Sequence, residues 1–206
     1  MNFDSFRMPD LARSDQSKLM NGSVVPRPIA WVSTIGAAGV NLAPFSYFNV
    51  IAVEPCLVMF SVGVPVESRR GTVKDTIQNL AEVPEFVLHL VDAELAEAMN
   101  ATSGEHPRGA NELRLAGLTE LASTAVRPPR IAEARIQMEC RVQETLTLGQ
   151  VPYHMFIGEV LVLHARSGTV SDRFHVDPEL HAPVSRLGGG GLYSRPTDRF
   201  TLKRPG

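Results

Sequence analysis

The chain has 206 residues, enough for one well-buried domain, and nothing in its composition calls for two. A formal charge of -2 leaves no broad cationic surface for a nucleic-acid backbone, and Cys56 and Cys140 stand alone inside apolar runs, without the close spacing of a metal site. No apolar stretch approaches the ~20 residues of a membrane span, and the opening Met-Asn-Phe-Asp-Ser lacks a basic segment followed by an apolar core. The expectation is a single-domain, soluble, cytoplasmic protein over residues 1–206, with no metal, nucleic acid or membrane partner.

Residues 1–21 are mixed and polar and read as an N-terminal arm, with Phe3, Phe6 and Leu11 as anchors onto the body. Pro26 and Pro28 bracket Arg27 and bias the chain toward an extended approach to the apolar strand 29–35. Gly36-Ala-Ala-Gly39 supplies a turn, so residues 29–49 predict a hairpin whose second strand is Asn41-Leu-Ala-Pro-Phe-Ser-Tyr-Phe-Asn49. A third strand follows at 56–62. Strands are also predicted at 86–91, at 135–143 and at 155–163. In 135–143, Ile136, Met138, Cys140 and Val142 alternate with polar side chains, the pattern of a strand with one wet face. Helical spacing appears at 75–81 and 92–102. Residues 126–131, with Pro128-Pro129, form a connector, and the tail 171–206 is irregular. Antiparallel strands with a few short helices predict a small closed barrel, because closure removes exposed edges.

Two segments could carry chemistry. In Ser68-Arg-Arg-Gly-Thr-Val-Lys-Asp-Thr76, Asp75 and Gln78 resemble a capping box at the start of a helix, where free N–H groups favour an anion. Ser68, Arg69, Arg70, Thr72, Lys74 and Thr76 add side-chain donors, and Gly71 permits close backbone approach. In the second strand, Pro44 cannot donate to a ladder and implies an edge or a bulge, which frees backbone groups of Ala43, Phe45 and Ser46. With Ser46 and Asn49 side chains, and Ser33 and Thr34 from the strand before, these suit the hydrogen-bonding edge of a planar ring. A ring with a dianionic tail describes FMN. An ordinary N-cap and a bulged edge strand are the plain alternatives. His89 reads as a core residue, His154 as a surface residue or a nicotinamide contact. His175-Val-Asp-Pro-Glu-Leu-His181 lacks the helical spacing of a zinc motif, and glycines 188–191 lack the strand and helix of a dinucleotide loop.

Taken in order, Val25-Pro-Arg-Pro-Ile-Ala-Trp-Val-Ser-Thr34, Asn41–Asn49, Lys74-Asp-Thr76 with Asn79, Ile131-Ala-Glu133 and Ile157-Gly-Glu-Val160 resemble the flavin reductase-like family of FMN-binding split-barrel proteins, which includes flavoredoxin-like proteins. The resemblance runs from about Gly22 to Val162, with an echo at Arg186-Leu-Gly-Gly and Tyr193. It implies a mainly β fold, a six-stranded antiparallel split barrel with a few short helices, forming a homodimer. By position it implies FMN contacts at Ser33, Thr34, Ala43, Pro44, Phe45, Ser46, Asn49, Ser61, Arg69, Lys74, Asp75 and Thr76, with Lys74 and Thr76 gripping phosphate. One departure is Val151-Pro-Tyr-His154, where the family places Gly-Asp-His, so the histidine is displaced by about one residue.

The activity so implied is hydride transfer from NADH or NADPH to FMN, with electrons passed to an acceptor such as a partner monooxygenase. The alternative is an FMN-binding electron-transfer or storage protein that makes little use of pyridine nucleotide. A third reading is a barrel holding no flavin, or another ligand.

Overall fold

The computed structural model describes residues 1–63 and 73–205, so Ser68, Arg69, Arg70, Gly71 and Thr72 lie outside the described residues. In chain order the elements are α1 (Arg13–Ser23), β1 (Ala30–Gly36), β2 (Gly39–Phe45), β3 (Phe48–Val53), β4 (Cys56–Val62), α2 (Asp75–Glu82), β5 (Glu85–His89), α3 (Ala96–Ala101), α4 (Glu112–Leu115), β6 (Glu120–Leu121), β7 (Arg130–Ile131), β8 (Ile136–Leu148), β9 (Tyr153–Ala165), β10 (Ser185–Arg186) and β11 (Tyr193–Ser194). The predicted arm thus contains a helix. α1 buries none of its residues, so it lacks the apolar stripe by which a helix is read from sequence. Phe3 and Phe6 are exposed rather than anchored.

The main sheet has seven strands in the order β2-β1-β5-β8-β9-β4-β3, and every neighbouring pair is antiparallel. This is the split barrel, with one strand more than the six expected. The extra strand arises because the run 41–49 is not one strand: it breaks at Ser46 and Tyr47 into β2 and β3, which lie at opposite edges of the sheet. Phe45 and Phe48 are three residues apart, which allows a span of no more than ~11 Å. The two edges must therefore meet in space, and the sheet curls round until they do. The ladder itself stays open, in place of the closed barrel predicted. The Ser61 N–H donates to the Tyr47 carbonyl at 2.9 Å beside the gap.

The curl creates an aromatic core inside the sheet. Phe60 is fully buried, with ring centroids at 5.3 Å from Phe45, 5.2 Å from Phe86 and 5.4 Å from Phe156. Ala30 and Val32 of β1 point into this core, while Ile29 and Trp31 point into a second one with Leu42, Met99, Leu113 and Val184. β1 is therefore buried on both faces, which accounts for the apolar run from Ile29 to Val32. Trp31 Nε1 donates to Thr102 Oγ1 at 2.9 Å, so its polar edge is satisfied.

The wet face expected for residues 136–142 is dry at its start. Gln137 and Glu139 are buried because the connector 126–131 and the residues just before it fold over them. Glu139 accepts from the backbone N–H groups of Thr124, Ala125 and Val126 and lies 2.7 Å from His164 Nε2. Gln137 Nε2 donates to the carbonyls of Ile131 and Ala134, both at 2.8 Å. Buried polar side chains are stable when bonded in this way. His89 is likewise fully enclosed: the Ile131 N–H donates to its Nε2 at 3.1 Å, so Nδ1 carries the proton and donates to the Trp31 carbonyl at 2.9 Å. No helix among the described residues is long and apolar enough to cross a membrane.

Candidate flavin site

Pro44 sits on β2, opposite Trp31 of β1, and β2 is an edge strand as proline requires. α2 begins at Asp75, next to that edge. Among the described residues no side chain caps its start, so the predicted capping box of Asp75 and Gln78 does not form. Gln78 Nε2 reaches the Val73 carbonyl at 3.0 Å instead. An uncapped first turn leaves backbone donors and the positive end of the helix dipole for an external anion.

Between these two segments lies a cavity of about 380 Å³. Ala43, Pro44 and Phe45 line it from the strand, and Lys74, Asp75 and Thr76 from the helix start. Asn41 ties the two walls together, its Nδ2 donating to Thr76 Oγ1 at 3.0 Å. The third wall was not foreseen: it is the segment 102–106 together with Glu112. Glu112 accepts from the Leu42 N–H at 3.0 Å, covering an edge donor of β2, and burial raises its pKa above the ordinary value. The only sequence signal for this wall was that Asn111-Glu-Leu-Arg114 follows the glycine and proline punctuation of 104–109, which marks a helix start; Asn111 Oδ1 does accept from the Arg114 N–H.

A second groove, about 360 Å³, shares Pro44, Phe45 and Lys74 with the first and adds Ser46 and Ser61. The two cavities together thus contain eight of the expected contacts. Three others face elsewhere. Ser33 Oγ donates to the Pro129 carbonyl at 2.5 Å, and Thr34 Oγ1 accepts from Asn79 Nδ2 at 3.2 Å, both hydroxyls fully buried. Asn49 is exposed and its Oδ1 accepts from the Val50 N–H. Arg69 lies outside the described residues. His154 of β9 pairs with Val62 of β4 and Thr147 of β8, its Nδ1 3.3 Å from Thr147 Oγ1, and lines neither cavity. Among the described residues no three His, Cys, Asp or Glu side chains are grouped to hold a metal ion.

The residues present fit a flavin: a dry wall, an open strand edge and a cationic, uncapped helix start. Comparison with known proteins gives the same family. A protein of Halalkalibacterium halodurans without assigned function is 40% identical over 203 residues, covering 96% of this chain and 95% of its own. Among solved structures, nitrilotriacetate monooxygenase component B from Bacillus cereus superposes with a TM-score of 0.91 at 33% identity, over 98% of this chain and 100% of that one. The Pseudomonas fluorescens 2-nitrobenzoate 2-nitroreductase gives 0.87 at 31%, over 98% and 96%. With residues 20–180 matching the model of the flavin reductase like domain, the chain belongs to that family.

Proposed function

We propose that the protein is an FMN-binding oxidoreductase of the flavin reductase type, which takes hydride from NADH or NADPH and hands electrons to an acceptor. The observation that carries this reading is the cavity walled by Ala43–Phe45 on one side and Lys74–Thr76 on the other, with Asn41 and Thr76 bonded between them. When bound, FMN supplies the redox chemistry, accepting hydride and releasing electrons.

The chain's own residues position and protect it. Pro44 and Phe45 form an apolar wall; Ala43 and Phe45 pair with β1 in the ladder, Glu112 holds the outward Leu42 N–H and Asn79 the Gly39 carbonyl, and the remaining outward backbone groups of β2 face the ring edge in this proposal. Lys74 and Thr76 hold the phosphate at the start of α2. Arg69 joins them in this proposal. No side chain is asked to move a proton to the ring, so no single acid or base is expected to abolish turnover. Ser33 and Thr34 support the site from beneath by fixing β1 to the connector and to α2.

A homodimer belongs to the same proposal. Val50, Ile51 and Val53 of edge strand β3 are exposed at 56%, 47% and 81%, an apolar strip on an open ladder that a second copy would cover. The likeness to a monooxygenase component B supports a partner monooxygenase as acceptor. Titration of the purified protein with FMN, followed by NADH and NADPH oxidation assays, tests the reading. Saturable FMN binding with steady nucleotide oxidation is expected. A protein that ignores FMN sinks it, and bound flavin reduced only by another protein would make it an electron carrier.

A further inference from the structure

The second groove has an unusual charge pattern. Its lining includes Arg27, Lys74 and Arg186 and, among the described residues, no carboxylate. Arg27 and Arg186 are held side by side by an antiparallel bridge, with N–H to carbonyl distances of 2.9 and 2.8 Å. Arg27 is only 7% exposed. Its Nη1 donates to the carbonyls of Asn21 and Val24 and its Nη2 to that of Leu187, at 2.6, 3.0 and 2.8 Å, while Nε is buried without a partner. Neither arginine forms an ion pair with a carboxylate among the described residues. Arg186 instead lies over the Tyr193 ring, 4.6 Å from its centroid.

A buried guanidinium with no counter-charge is costly, and carbonyl dipoles fix its direction without neutralising it. An external anion in the groove supplies the missing charge. Guanidinium groups in pairs suit phosphate oxygens, which accept several N–H bonds at once. Tyr47 and Tyr153, stacked with centroids 6.0 Å apart, add a flat aromatic wall to the same groove, of the kind that accompanies a base or a nicotinamide.

We propose that this groove is a second phosphate subsite, built on Arg27 and Arg186, which holds the phosphate-bearing part of the pyridine nucleotide beside the flavin. The assignment to pyridine nucleotide rests on the function proposed above; the presence of a phosphate subsite does not. Because Pro44, Phe45 and Lys74 border both cavities, a nucleotide anchored here reaches the ring directly.

The experiment uses Arg186→Gln, since Arg27 is tied into three backbone carbonyls and its loss endangers folding. Binding of 5′-ADP is measured by calorimetry, FMN affinity by fluorescence titration, and the KM for NADH in the presence of saturating FMN, with a thermal melt to verify folding. The variant is expected to bind 5′-ADP about tenfold more weakly and to raise the NADH KM by about the same factor, more than any change in kcat, as for one lost charge-assisted contact. FMN affinity should stay within about twofold. A drop in FMN affinity with 5′-ADP binding unaltered overturns the nucleotide assignment and gives the subsite to the flavin's own tail. A folded variant equal to the parent in all three measurements overturns the subsite itself. Parent protein that binds 5′-ADP but no FMN would refute the flavin reading and leave the subsite standing.

Discussion

Asn41 Nδ2 donates to Thr76 Oγ1 at 3.0 Å, both side chains being more than nine-tenths buried. This bond joins the edge strand that offers a ring its backbone to the helix start that offers an anion its dipole. The Thr76 hydroxyl accepts from Asn41 and retains its own proton for an outside acceptor. Thr76→Val removes both functions and leaves a buried amide donor unpaired, which should cost about 1–3 kcal/mol of stability. Urea unfolding of the flavin-free protein checks this, and FMN affinity should fall with it. Thr76→Ser should retain both; if Thr76→Val unfolds at the parent's midpoint, the bond has no structural weight.

Lys74 lines both cavities and precedes the first helical residue of α2. Lys74→Ala should weaken FMN by about 1.5–3 kcal/mol, the scale of a hydrogen bond to a charged group. The unfolding midpoint without flavin should move far less. Fluorescence titration separates the two effects, and unaltered FMN affinity would mean that the phosphate sits elsewhere.

Gly158 of β9 packs directly on Phe86, so that a Cβ there would clash with the Cζ and Cε1 atoms of the phenyl ring. Phe86 is fully buried and sits against Phe60, with little room to retreat. Gly158→Ala should therefore destabilise by about 1–3 kcal/mol or more through overpacking. Phe86→Leu in the same chain should recover part of the loss, a non-additivity readable by a double-mutant cycle in urea. Simple addition of the two losses would contradict the contact.

Acid should destabilise the fold in two overlapping steps. Burial depresses the His89 pKa from 6.5 to about 4, against the pull of the Trp31 carbonyl and with help from Arg130. Burial acts on Glu139 in the opposite direction, yet the N–H groups of Thr124 and Ala125, with His164 and the Thr124 hydroxyl, override it and bring the carboxyl from 4.5 down to about 2. Both folded-state values lie below the unfolded ones, so the unfolded chain binds more protons as pH falls. The His89 contribution is complete above 6.5 and lost toward about 4; that of Glu139 is complete above 4.5 and lost toward about 2. Urea midpoints measured against pH should bend downward from about 6.5, and His89→Gln should flatten that first limb while sparing the second.

The two cysteines should differ in reactivity. Cys56 is exposed, whereas Cys140 is buried in the aromatic core, where burial pushes its thiol pKa far up. A thiol reagent should therefore modify one cysteine in the native protein and both after denaturation. Modification of both at equal rates in native buffer would contradict the core placement.

Much of the fold was legible because its signals are local. Proline in an apolar run forced β2 to an edge, alternation at 136–142 marked β8, and the spacing of Ile77 and Leu80 marked α2. α1 was missed because it presents no apolar face, and the break at Ser46 and Tyr47 because an apolar run reads the same whether it serves one edge or two. Ser33 and Thr34 were expected at the flavin because they have hydroxyls near a strand end. Which face of β1 each occupies, and whether Pro129 or Asn79 already meets it, depends on segments far along the chain.

The amino-acid order by itself determined where β1, β4, β5, β8 and β9 lie, the edge position of Pro44 and the adjacency of Lys74 to a helix start, since each follows from backbone chemistry within a few residues. Only the tertiary structure decided that β2 and β3 belong to opposite edges, that segment 102–106 and Glu112 close the cavity, and that Arg27 and Arg186 stand together with no carboxylate beside them among the described residues. Those relationships join residues up to 160 positions apart, as Arg27 and Leu187 are. They are set by the curl of the sheet and by the burial of charge, which no local pattern encodes.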